Sequence, residues 1–177
     1  VAHIRSEDML IGLVGETFTF PVEIKQRIEE ITWTKNKDKV AVWERQNTPT
    51  YFTSLENRSV LKDNGCLTIF GLEKNDSGTY ELHYWDSRND HYLTFVLSVL
   101  DPPSEPKISW SIEGDNLVLN CTSNFQMPLN YTWKLSNDPH SHQGQEFSIP
   151  IENVDAMKKA TCSITFSQTE KSSEISL

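Results

Sequence analysis

Apolar and polar residues alternate with a period of two along most of the chain. Residues 17–22 place Phe18, Phe20 and Val22 on one side of an extended segment and Thr17, Thr19 and Pro21 on the other. Leu67-Thr68-Ile69 and Tyr80-Glu81-Leu82-His83-Tyr84 repeat the pattern, and residues 93–99 repeat it with a more apolar second face. Later in the chain, residues 116–121 and 162–166 follow suit. This is the periodicity of strands with one buried face. The runs are short and are separated by turn signals such as Asp63-Asn64-Gly65 and Asp76-Ser77-Gly78. The best helical candidate, residues 154–160, is too short to stand alone. Short strands without intervening helices predict an all-β chain of packed sheets.

The pattern breaks once, at Leu100-Asp101-Pro102-Pro103-Ser104-Glu105-Pro106. Its prolines lack ladder donors and fix the backbone, so neither strand nor helix continues through them. The expected division is therefore 1–101 and 102–177, and 177 residues suit two domains of modest size. Hydrophobic residues at 37% are enough for two small cores and argue against global disorder. The net charge is −9, with 11 basic against 16 acidic residues before Pro102 and 5 against 9 from there on. Neither half carries the basic surface a nucleic-acid binder needs. No apolar run is long enough to cross a bilayer, and the first residues lack the apolar centre of a signal peptide.

The cysteines sharpen the fold. Trp133 follows Cys121 by twelve residues, and Cys162 follows it by 41. That is the spacing of an immunoglobulin-type sandwich, where cysteines on facing sheets bond and a tryptophan covers the bond. Closing such a loop contributes about 4 kcal/mol on the chain-entropy account. The other reading is a pair of buried free thiols. Residues 1–101 show the same frame without the bond: Val22 and Leu82 stand at the cysteine positions, Trp33 follows Val22 by eleven residues, and Tyr80 stands as a corner tyrosine. Val22 and Leu82 are expected to meet across the core. Arg58 and Asp76 are expected to pair at the base, as an exposed pair of little energetic weight. Cys66 has no evident partner, and since Leu67 and Ile69 should face the core, its side chain is expected to face outward.

A variable-type domain lacking its disulfide, a proline-rich joint and a short constant-type (C2) domain with one resemble the cluster-of-differentiation-two and SLAM family of leukocyte receptors. The segments Lys35–Ala41, Glu56-Asn57-Arg58 and Cys66–Ile69 carry the likeness further, and it covers the whole chain. There are departures from the family pattern. No early cysteine occurs around Ser111-Ile112-Glu113 and no late one before Leu177, so the additional bond usual in the family's second domains is not expected here, and Ala160 stands where a corner tyrosine would precede Cys162. The resemblance implies two tandem immunoglobulin-like β-sandwiches, 1–101 binding a ligand and 102–177 acting as a spacer. It implies a cell-surface adhesion or co-stimulatory glycoprotein on the extracellular side of the plasma membrane, held by an anchor beyond Leu177. The implied partner is a cluster-of-differentiation-two-like receptor ectodomain in trans, on T or natural killer cells.

Four sequons, at Asn57, Asn75, Asn120 and Asn130, agree with an extracellular setting. Glycans on Asn57 and Asn75 are expected to cover the base and outer side of the first domain and leave its other sheet bare. By alignment with the family, that bare sheet offers Glu30, Thr32 and Thr34 beside Trp33, then Lys35, Lys37, Asp38 and Lys39 in the next turn. Val40, Val42 and Glu44 follow, then Glu81 and His83, with Asp86, Arg88 and Asp90 in the following turn. Mixed charge suits fast, weak and specific pairing, because complementary charges steer and discriminate while adding little affinity. Three lysines within five residues of an acidic domain call for an acidic patch on the partner. A homophilic SLAM-type receptor or a viral mimic remains open, as does a glycan-binding sandwich using Trp43, Trp85 and Tyr92. No catalytic motif, cofactor site or metal site is expected: Glu29 and Glu30 alternate in direction, and His140-Ser141-His142 reads as a solvent-exposed loop.

Overall fold

The computed structural model describes residues 8–177. They divide into two compact units, the boundary in the chain falling between Asp101 and Pro102. The first holds nine strands: β1 (Asp8–Leu13), β2 (Phe18–Thr19), β3 (Glu30–Lys35), β4 (Asp38–Glu44), β5 (Thr50–Tyr51), β6 (Ser59–Leu61), β7 (Leu67–Ile69), β8 (Gly78–Trp85) and β9 (Asp90–Leu100). A six-stranded sheet runs β1-β9-β8-β3-β4-β5 and a three-stranded sheet runs β2-β7-β6. The extra β4 and β5 beside β3 make this a variable-type sandwich. Strand β1 lies parallel to β9. It escaped the periodicity reading because Met9-Leu10-Ile11-Gly12-Leu13 is a continuous run without alternation.

Eighteen buried residues form the core of this unit. At its centre Phe20 packs against Trp33, Tyr80 and Phe95, with ring centroids 4.9, 4.8 and 5.5 Å away. Val22 and Leu82 belong to the same core, where a bonded cysteine pair would otherwise stand. The Tyr80 hydroxyl donates to the Asp76 carbonyl at 2.6 Å, and burial first, then the nearby Asp76 carboxylate, raises its pKa. Arg58 grips Asp76 with two bonds, Nη2–Oδ2 at 2.7 Å and Nη1–Oδ1 at 3.2 Å. Asp76 is only 1% exposed and also accepts the Glu73 amide, while Arg58 is 24% exposed, so the carboxylate of this expected exposed pair is buried and its cation half-buried.

Two further expectations are corrected. Val40 does not face outward; it is 1% exposed. A β-bulge at Trp33/Thr34 pairs Trp33 with Ala41 and Thr34 with Lys39, leaving Val40 as the extra residue. The bulge breaks the alternation that put Val40 and Val42 on one side. Cys66 is half-buried against the core, and its thiol donates to the Val22 carbonyl at 2.8 Å. It precedes β7 and follows Gly65, whose φ of +91° turns the chain, so strand alternation cannot be extended back to it.

The second unit holds β10 (Lys107–Glu113), β11 (Asn116–Thr122), β12 (Asn130–Leu135), β13 (Ser141–Gln143), β14 (Glu146–Pro150), the single-turn helix α1 (Val154–Met157), β15 (Lys159–Phe166) and β16 (Thr169–Ser176). Sheets β10-β11-β14 and β13-β12-β15-β16 face each other, a C2-type arrangement. The bond between Cys121 on β11 and Cys162 on β15 joins the two sheets. Trp133, fully buried, lies opposite Cys162 in the β12–β15 register. The core here has eight buried residues, two of them the bonded cysteines. The expected loop at residues 140–142 is a strand from Ser141 onward. His142 meets the Asp138 carboxylate at 3.0 Å and packs on Phe147, while exposed His140 precedes the strand.

Candidate binding face of the first domain

The outer surface of the six-stranded sheet follows from strand register. Ile31, Trp33, Tyr80, Leu82, Tyr84 and Phe95 point into the core, so their neighbours form rows across β4, β3, β8 and β9. One row is Glu44, Glu30, Trp85 and Asp90. The next is Val42, Thr32, His83 and Tyr92, and the third is Lys39, Thr34, Glu81 and Thr94. The first row is acidic, the second nearly neutral, and the third borders the lysine-bearing turn. Glu30 and Glu44 stand directly opposite each other, an arrangement that costs a sheet stability.

The turn between β3 and β4 is a two-residue hairpin, Asn36-Lys37, with φ of +48° and +75°. Both signs match a primed turn, in which asparagine fits and lysine is strained. The Asn36 side chain accepts the Thr79 amide at 3.0 Å and its own amide donates to the Thr79 carbonyl at 2.8 Å, which fixes the turn against β8. Lys37, Asp38 and Lys39 are exposed. Lys35 differs: its ammonium donates to the Asn75 carbonyl at the foot of β8. Thr34, Asn36, Lys37, Thr79 and Glu81 line a shallow hollow beside the turn.

At the opposite end, the β8–β9 hairpin is held by two cross-strand stacks. His83 lies flat on Tyr92 at 4.4 Å and meets Asp90 at 2.9 Å. On the other side of the hairpin, His91 stacks on Tyr84 at 4.5 Å and meets Asp86 at 2.9 Å. Asp86 also accepts the amides of Arg88 and Asn89. The backbone bond from Asn89, then the His91 bond, pull its pKa down to about 2. Asp86 therefore orders the turn, whereas Arg88 and Asp90 are exposed. Sequence reasoning missed these stacks, because alternation shows which face a residue takes but not its cross-strand partner. Tyr92 is 59% exposed and supports His83, while Trp43 packs partly against the core and donates to the Asn47 carbonyl. The side chains of Asn57, Asn75, Asn120 and Asn130 are all exposed. None of the four lies on β3, β4, β8 or β9, although Asn75 adjoins the foot of β8.

Among the described residues, no group of three His, Cys, Asp or Glu side chains is placed to hold a metal, and no helix is long and apolar enough to cross a membrane. A variable-type sandwich and a C2-type sandwich in tandem, the second alone disulfide-bonded, define a chain of two immunoglobulin-like folds. No family model matches the chain. Over 111 residues it is 35% identical to the T-cell surface antigen CD2 of Equus caballus, covering 60% of this chain and 31% of that protein. Over 163 residues it is 26% identical to lymphocyte function-associated antigen 3 of Homo sapiens, covering 88% and 63%. The chain thus spans between about a third and just under two thirds of these relatives' length. The crystal structure of the CD2-binding domain of CD58 (lymphocyte function-associated antigen 3) matches with a TM-score of 0.58 and 24% identity, covering 97% of each chain, and so shares the fold. The chain is thus similar in sequence to CD2 and to lymphocyte function-associated antigen 3, and it shares the fold of the solved CD2-binding domain of the latter.

Proposed function

We propose that the first domain binds a CD2-like receptor of the same family on an apposed T or natural killer cell, through the outer face of its six-stranded sheet. The second domain is the spacer, and the sequons carry glycans away from the centre of that face. The observation that carries this reading is the face itself: an acidic row at one end, lysines at the other, and the nearly neutral Val42, Thr32, His83 and Tyr92 between them. A basic patch on the partner facing Glu30 and Glu44 would relieve their mutual repulsion. An acidic patch would meet Lys37 and Lys39. The solved relative described as a CD2-binding domain supports the choice of receptor.

The test is a surface-binding panel of purified family ectodomains against the whole chain, repeated with Lys37→Glu and Glu44→Lys. Each variant is expected to weaken binding to the matching receptor about tenfold or more. Unchanged binding by both variants would place the contact on another surface.

A further inference from the structure

Strand β10 ends its sheet, pairing with β11 on one side and with no other strand among the described residues. Such an edge offers unpaired backbone donors and acceptors, and sheets blunt it with charges, prolines or bulges. β10 has none of these between its terminal residues. Strand β16, at the end of the facing sheet, carries Glu170, Lys171 and Glu174 within its length. In β10, Trp110 and Ile112 are 60% and 61% exposed despite lying on the inner side, where register sets them beside Leu119 and Leu117.

The sequence of β10 is Lys107-Ile108-Ser109-Trp110-Ser111-Ile112-Glu113. It reads the same in both directions except at its ends, and those ends carry opposite charges. Lys107 and Glu113 are exposed and form no ion pair among the described residues. Two antiparallel copies centred on Trp110 would set tryptophan beside tryptophan, Ile108 beside Ile112, and serine beside serine. Lys107 would face Glu113 of the second copy, twice by symmetry. A two-fold contact requires a surface complementary to itself, and this strand meets that requirement residue by residue.

We propose that a second copy of this chain adds to β10 edge to edge, antiparallel about Trp110, joining two three-stranded sheets into one of six strands. The contact lies in the second domain and is independent of the receptor-binding face proposed for the first. Seven residue pairs make a small interface, so the dimer is weak and its population rises with local concentration.

Sedimentation of the whole chain from micromolar to millimolar concentration tests this. Reversible dimerisation is expected for the wild type. Lys107→Glu and Glu113→Lys place like charges opposite each other at both ends, and each raises the dissociation constant about tenfold or more. An equimolar mixture of the two variants recovers the wild-type affinity, because each copy then supplies the charge the other needs. Lys37→Glu leaves the dimer unchanged, whereas homophilic contact through the first domain would respond to it. A wild type that stays monomeric, single variants that dimerise normally, or a mixture no tighter than either variant alone would each overturn the proposal.

Discussion

The two domains build the same sandwich from unequal means. Among the described residues the first has eighteen buried in its core and no inter-sheet bond, and the second has eight, two of which are the bonded cysteines. At the positions of the missing bond the first domain places Val22 and Leu82, 6% and 0% exposed. Burying an aliphatic side chain contributes roughly 1.5–3 kcal/mol, so the two together are of the same order as the roughly 4 kcal/mol of the cross-link. The first domain also has the buried Asp76 carboxylate held by half-buried Arg58, and the Tyr80 hydroxyl tie. The second has Ala160, fully buried, where such a tyrosine would stand. A large core makes the bond dispensable; a small one makes the bond structural.

That difference is broken most severely by removing the bond. Cys121→Ala with Cys162→Ala is expected to cost the second domain about 2–5 kcal/mol, enough to unfold a domain with so few buried residues. The first domain should keep its own transition. Calorimetry checks this, showing loss of one of two transitions while the other stays in place. If both transitions fall together, the two cores are not independent.

The next largest effect probes what the first domain uses in place of the bond. Asp76 is 1% exposed, and Arg58 is its cationic partner. Arg58→Ala strands a buried carboxylate, and breaking such a pair from one side costs about 3 kcal/mol. Chemical denaturation of the variant should show this loss in the first transition only. A change below about 0.5 kcal/mol, the level of an ordinary surface substitution, would mean the pair is solvated as the sequence had suggested.

The contrast between the domains was largely legible in the sequence, because it rests on spacing. Cys121, Trp133 and Cys162 mark the bonded frame, and Val22, Trp33, Tyr80 and Leu82 mark its unbonded counterpart. What could not be read were features that depend on a second strand. The bulge that buries Val40 exists only in the pairing of β3 with β4. The burial of Asp76 depends on Arg58, eighteen residues away, and on the Glu73 amide. On the six-stranded sheet of the first domain, alternation placed Thr32, Thr34, Glu81 and His83 on the side away from the core, as the register does. It did not reveal that Lys35 is engaged by the Asn75 carbonyl, or that Asp86 is engaged by its own turn. Local pattern gives direction, and partners come only from the folded register.

The smallest predicted effect sharpens the comparison most, because it separates stability from recognition within one residue. The large core of the first domain lets it carry unfavourable features on its outer sheet, among them Glu30 opposite Glu44 and Lys37 at a φ of +75°. A non-glycine residue in that conformation costs about 1 kcal/mol, and glycine adopts it freely. Glycine is also the preferred second residue of a primed hairpin after asparagine, which Asn36 supplies. Lys37→Gly is therefore expected to stabilise the first domain by about 0.5–1 kcal/mol, raising its transition by a few degrees and leaving the second domain unchanged. The same substitution removes one of the exposed lysines of the proposed face, so receptor binding should weaken as the domain becomes more stable. Paired melting and binding measurements on this one variant decide the matter. If stability and binding rise together, Lys37 is merely a strained turn residue and the lysine-bearing end of the face does not meet the partner.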